Sequence, residues 1–188
     1  MANRTLTLES LIEAFRLSCQ VEGKSPKTIE WYLDFLGRFQ RFRVLRDNPP
    51  KPSRIDRSHI REFILHLQTE AINPHNNGAL SPITVQGYVR TLKAFFSWAK
   101  REEYIADNPM TGIAIPRAPR KMVNTFTTDQ IAALLNLCRS SNHSGHRNTT
   151  IILLFFDTGI RVSELVNISI DDVILDEGRI KIKRAKGN

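Results

Sequence analysis

The stretch IILLFFDTGIRVSEL, residues 151–165, joins six apolar residues to a glycine turn, and then to an arginine and a glutamate three positions apart. The apolar run predicts a strongly apolar helix through Thr149 to Phe156, led in by the polar loop SSNHSGHRN at residues 140–148. Asp157-Thr158-Gly159 reads as a turn, and Arg161 to Ile168 as one further short helix. From Asp171 the apolar period falls to two. Val173 and Leu175, then Glu177-Gly178 as a turn, then Ile180 and Ile182 predict a β-hairpin that ends in Lys183-Arg184-Ala185-Lys186-Gly187. Upstream, Thr127-Thr128-Asp129-Gln130 caps a helix reaching about Leu137. This segment is therefore α+β.

The chain before it reads as helical throughout. Leu8, Leu11, Ile12, Phe15 and Cys19 form one stripe, closed by Gly23-Lys24. Ser25-Pro26 and Ser81-Pro82 each place a capping hydroxyl before a proline at the first helical position. The first opens a helix to about Leu45 with Tyr32, Phe35, Leu36, Phe39 and Phe42 inward. The second opens a helix to about Lys100, with a core stripe from Val85 to Ala99. Between them, Asp56 caps a helix over Arg57–Glu70 whose apolar face is Ile60, Ile64 and Leu67. Residues 47–52, DNPPKP, cannot be helical. The expected organisation is a four-helix bundle over 1–114, a basic proline-containing linker over 115–124, and the α+β segment over 125–188.

The 188 residues carry 27 Lys+Arg against 19 Asp+Glu, a net charge of +8, and are 41% hydrophobic. That fraction supports packed cores and argues against disorder. The longest apolar run is too short to span a bilayer, and the N-terminus has no secretory pattern, so no membrane role is expected. Cys19 and Cys138 stand far apart, which excludes a disulfide scaffold and fits a reducing compartment. Positive charge in excess favours a polyanionic partner. It is concentrated in residues 1–120, with 18 basic against 12 acidic side chains, and most densely from Arg38 through Arg41 to Arg61. On the fourth helix Gln86, Arg90, Lys93, Ser97 and Lys100 recur at helical spacing opposite the core stripe, with no acid among them. Long cations with amides and hydroxyls suit phosphates and base edges of duplex DNA. A solvated helix face has the same composition.

Thr158-Gly159-Ile160-Arg161-Val162-Ser163-Glu164-Leu165, followed by a hairpin carrying Ala185-Lys186-Gly187, resembles the tyrosine recombinases, the family of phage integrases, transposon integrases and Xer-type recombinases. That family's first catalytic box is Thr-Gly-Leu-Arg, one spacer and Ser-Glu-Leu, and its hairpin bears a Gly-Lys-Gly. The openings Ser25-Pro26-Lys27-Thr28 and Ser81-Pro82-Ile83-Thr84 extend the likeness to the bundle. The resemblance implies a mainly α protein: a SAM-like core-binding bundle, then the N-terminal part of an α+β catalytic domain. It implies that a tyrosine hydroxyl attacks a DNA phosphate, forming a 3′-phosphotyrosyl bond as a 5′-hydroxyl leaves, with no metal and no cofactor. Arg161 would grip the phosphoryl oxygens, Lys186 would protonate the leaving oxygen, Gly159 would permit the turn, and Glu164 would support the arginine. DNA contacts are expected from Lys27, Thr28, Arg38 and Arg41, from the fourth-helix stripe, and from Arg117, Arg120 and Lys121 in the linker. The implied partners are double-stranded DNA, around which the two domains would clamp, and other recombinase subunits on it. The implied setting is the cytoplasm of a bacterial, archaeal or phage-infected cell.

The sequence holds no His-x-x-Arg, the family's second box, and its tyrosines, Tyr32, Tyr88 and Tyr104, all precede the linker. None matches the nucleophile. The expectation is a recombinase chain that lacks the C-terminal catalytic half and does not cleave DNA alone. A non-catalytic DNA-binding module, or a decoy occupying recombination sites, is the alternative, and a helical interaction domain without a DNA role is a third. Cys138, His143 and His146 match no closed zinc set, the adjacent acids Asp171 and Asp172 are ordinary at a strand edge, and no nucleotide-binding glycine loop occurs.

Overall fold

The computed structural model describes residues 6–46, 51–74, 76–119, 122–138 and 143–182. The chain divides into two compact units, residues 1–121 and 122–188. The first contains α1 (Leu8–Val21), α2 (Pro26–Val44), α3 (Arg57–Thr69) and α4 (Pro82–Arg101). Each begins on a side-chain cap. Thr7 and Ser10 satisfy each other's backbone N–H groups ahead of α1, and Asp56 accepts from the N–H groups of Ser58 and His59 ahead of α3. Ser25 and Ser81 accept from the N–H of Thr28 and Thr84, with the two hydroxyls of each pair 2.8 Å apart.

These helices bury one aromatic core. Phe39 meets Phe63 and Phe96 edge to face, Phe15 meets Phe95, and Phe35 stacks on Tyr88 with ring centres 3.9 Å apart. Phe63 is fully buried whereas Ile64 is half-buried, so the inward face of α3 is Ile60, Phe63 and Leu67. Ile64, expected on this face from the sequence, packs against the core from its edge. The triplet 60, 63, 67 packs the larger ring inward at the same helical spacing. After α4, Ile105, Met110 and Ile113 enter this core as well. The chain therefore remains fastened to the bundle beyond the last helix.

The second unit contains α5 (Thr128–Leu137), α6 (His143–Thr158), α7 (Val162–Leu165) and a two-stranded antiparallel ribbon, β1 (Val173–Ile174) and β2 (Arg179–Ile180). Ile131 and Leu134 of α5 share a groove of about 450 Å³ with Ile152, Phe155 and Phe156 of α6. Helix α6 starts at His143, six residues before the expected Thr149, so only the first part of the predicted polar loop precedes it. Adding residues to an existing helix gains one hydrogen bond each and needs no apolar side chain. The ribbon is shorter than the alternation suggested. Leu175–Glu177 curl into a 3-10 turn closed by Gly178 in the left-handed region (φ 60°), and only Val173 opposite Ile180 and Ile174 opposite Arg179 pair as strands. Among the described residues no helix is long and apolar enough to cross a membrane.

Candidate functional site

Helix α6 ends where Gly159 takes φ +62°, a conformation that costs other residues about 1–2 kcal/mol. The Gly159 N–H closes the last helical turn on the Phe155 carbonyl at 3.1 Å, and the Thr158 hydroxyl accepts from the Ile160 N–H at 3.2 Å. The chain thereby reverses into α7 with Arg161 at its N-cap. There Glu164 receives two hydrogen bonds from one residue: the Arg161 backbone N–H to Oε2 at 3.0 Å, and guanidinium Nη1 to Oε1 at 2.7 Å. The Glu164 side chain is 9% exposed and the Arg161 side chain 59%. The carboxylate thus anchors one edge of a guanidinium whose remaining donors face solvent. Such a group can take two oxygens of an incoming phosphate while held in one orientation.

Asp172 is buried (2% exposed) and accepts from the Ser169 N–H at 3.0 Å and the Ser169 hydroxyl at 2.6 Å. It also fixes the ribbon, since its carbonyl accepts from the Lys181 N–H at 2.8 Å. The sequence reading saw only an acidic pair here, but the Ser-x-x-Asp spacing is a capping signal that could have revealed it. Lys186, assigned as the leaving-group acid, lies outside the described residues, as do Arg120 and Lys121. Among the described residues no three His, Cys, Asp or Glu side chains gather as metal ligands, and His143 and His146 are exposed in the first turn of α6.

In the first unit the proposed DNA-contacting side chains separate into two kinds. Arg90, Lys100, Arg41 and Arg117 are exposed and Lys93 half-exposed. Others are engaged within the chain. Arg38 donates to the Ile72 carbonyl at 2.9 Å and lies over the Tyr88 ring, bracing Ile72 beside a notch of about 490 Å³ that Arg41 and Thr84 also line. Lys27 pairs with Glu30 on the surface, and Thr28 completes the Ser25 cap. Gln86 donates to the Pro116 carbonyl at 2.7 Å, and Ser97 accepts from the Asn108 side chain at 3.2 Å. The last two contacts join positions 30 and 11 residues apart, which spacing along α4 cannot show. Of the three tyrosines, Tyr88 is buried, Tyr32 half-buried against Phe15, and Tyr104 exposed beside Trp98.

Residues 11–106 match the model of the phage integrase N-terminal SAM-like domain, and residues 124–188 match that of the phage integrase family. Curated relatives include the tyrosine recombinase XerD of Staphylococcus saprophyticus, 32% identical over 185 residues, and that of Staphylococcus haemolyticus, 31% identical over 182. Each alignment covers 96% of this chain and 58% of the relative, so the chain spans less than two thirds of their length. Among solved structures, the Tn1549 transposon integrase in complex with a circular intermediate DNA superposes with a TM-score of 0.63 at 18% identity, covering 91% of this chain and 50% of that one. This likeness concerns the fold alone. With one family model spanning half the chain and a second beginning where the two compact units meet, the chain belongs to the phage integrase family, the tyrosine recombinases.

Proposed function

We propose that this chain is the DNA-binding bundle and the first portion of the catalytic unit of a site-specific tyrosine recombinase, acting on double-stranded DNA in the bacterial cytoplasm. The observation that carries the reading is the arginine turn: an exposed guanidinium aimed by a nearly buried carboxylate, two residues after the positive-φ Gly159. Arg161 serves to neutralise charge on the scissile phosphoryl oxygens, and Glu164 positions it. Lys186 is the general acid for the 5′-hydroxyl. The bundle provides affinity through phosphate contacts from Arg90, Lys93, Lys100, Arg41 and Lys27, and through Arg117, Arg120 and Lys121 of the 115–124 linker between the 1–114 and 125–188 domains. Other recombinase subunits are the expected partners on DNA. The His-x-x-Arg box and a tyrosine beyond the linker, which the resemblance implies for a complete recombinase, do not occur in these 188 residues, and the chain spans 58% of the length of its relative.

Fluorescence anisotropy with a mixed-sequence duplex tests the reading. Binding should weaken linearly in log–log form as salt rises, by roughly 0.9 in slope per phosphate neutralised. Binding indifferent to salt would overturn the assignment. Arg161→Ala should lower the slope by about one while leaving most of the affinity, because the bundle supplies most contacts. Supercoiled plasmid incubated with the chain alone should keep its topology.

A further inference from the structure

Residues 105–116 form a strap that runs back along α4. At one end the Asn108 side chain bridges Ser97 and the Met110 N–H, and Ile105, Met110 and Ile113 are buried in the bundle core. At the other end Gln86 Nε2 donates to the Pro116 carbonyl in a partly buried contact. Between Ile113 and that contact no other side chain among the described residues hydrogen-bonds the strap. The next residue is Arg117, exposed, and Arg90 lies one helical turn after Gln86 on the same face of α4. Four residues of helix rise about 6 Å and consecutive Cα atoms are about 3.8 Å apart, so the contact holds Arg117 close to the Gln86 end of the stripe, about one further turn from Arg90.

We infer that Gln86 is a positioning residue: its amide clasps the Pro116 carbonyl and thereby holds Arg117 at the Gln86 end of the cationic face of α4. This rests on the DNA-binding reading above. One of the two Nε2 hydrogens of Gln86 is committed to the Pro116 carbonyl at 2.7 Å, which holds the amide plane in one orientation set by the strap rather than by a base edge. The clasp fixes the backbone from which the Arg117 side chain springs, which lowers the ordering cost of a phosphate contact.

The experiment uses Gln86→Met, of similar length but without a donor, with Arg117→Ala and the double variant, each checked for an unchanged melting temperature. Trypsin cleavage after Arg117 needs the strap end to open, so Gln86→Met should accelerate it roughly fivefold, the change in population that one hydrogen bond supports. In duplex binding, Arg117→Ala should lower the salt slope by about one, and Gln86→Met should weaken binding only when Arg117 is present. Unchanged cleavage would overturn the clasp. Accelerated cleavage with additive effects on DNA affinity would overturn the positioning role and make Gln86 an independent DNA contact. Failure of the unmodified chain to bind duplex would remove the DNA reading, and the link to DNA with it, while cleavage still decides the clasp.

Discussion

A methyl group added at Gly87 would lie 2.8 Å from Cε2 of Phe35 and 3.0 Å from Cζ2 of Trp31, both closer than packed carbons approach. Gly87→Ala gains about 0.5–1 kcal/mol of helix propensity in α4 but forces α2 and α4 apart, an overpacking cost of about 1–3 kcal/mol. Net destabilisation is expected. At Gly37, on α2, the added carbon would meet only the tip of Arg41 at 3.5 Å, so Gly37→Ala should stabilise by the propensity term alone. Urea midpoints of the two variants should move in opposite directions. Gly159 differs from both, because open space surrounds it and only its φ of +62° demands glycine. Gly159→Ala should cost about 1–2 kcal/mol, and Gly159→Asn less, read as faster amide exchange at the α6–α7 turn. At this scale the arginine box was legible as a motif, and the support expected of Glu164 is there: its carboxylate accepts from both the Arg161 backbone N–H and the guanidinium. The commitment of Gln86 was not legible, because its partner lies 30 residues away.

Caps were the most readable part of the elements. Ser25, Asp56, Ser81 and Thr127 all begin helices where the sequence places them, because each satisfies an N–H that would otherwise lack a partner. The start of α6 was not readable: His143 to Thr150 offers no apolar residue to reveal a period, and the helix there grows from the apolar turns that follow it. Alternation in the ribbon gave its direction but not its length, since Leu175 leaves the strand for a turn and remains exposed. Among the caps Asp56 makes a pH prediction. Hydrogen bonds from the Ser58 hydroxyl and from the His59 backbone hold its carboxyl down at about 2, below the ordinary 3.8. A lowered folded-state value means that the stabilisation is complete above pH 3.8 and is lost as pH falls from there towards 2. Asp56→Asn keeps a capping oxygen without the proton equilibrium. Its helical signal should therefore fall less steeply across that window than the unmodified chain's.

Across the whole molecule the apolar core is unevenly shared. Every buried apolar side chain among the described residues lies between Leu8 and Ile113. In the second unit Phe126, Leu137, Phe156, Val166, Ile170 and Leu175 are all more than 60% exposed. Burial is the main term opposing chain entropy, so the two units should differ widely in local stability. The bundle has interlocked rings and four capped helices, so its amides should open only with global unfolding. The α5–α7 segment has a groove lined by exposed rings and a ribbon of two paired residues per strand, so its amides should exchange through local opening. Hydrogen-exchange mass spectrometry on the 188-residue chain should show α2 and α4 protected many-fold more strongly than α5, α6 and the ribbon. Phe63→Ala, which empties a fully buried site at a cost of about 3–5 kcal/mol, should then accelerate exchange throughout α1–α4 and leave α5–α7 unchanged. Equal protection in both units, or acceleration spreading into α6, would show that the exposed side chains of the second unit are covered in solution and that the chain unfolds as one body.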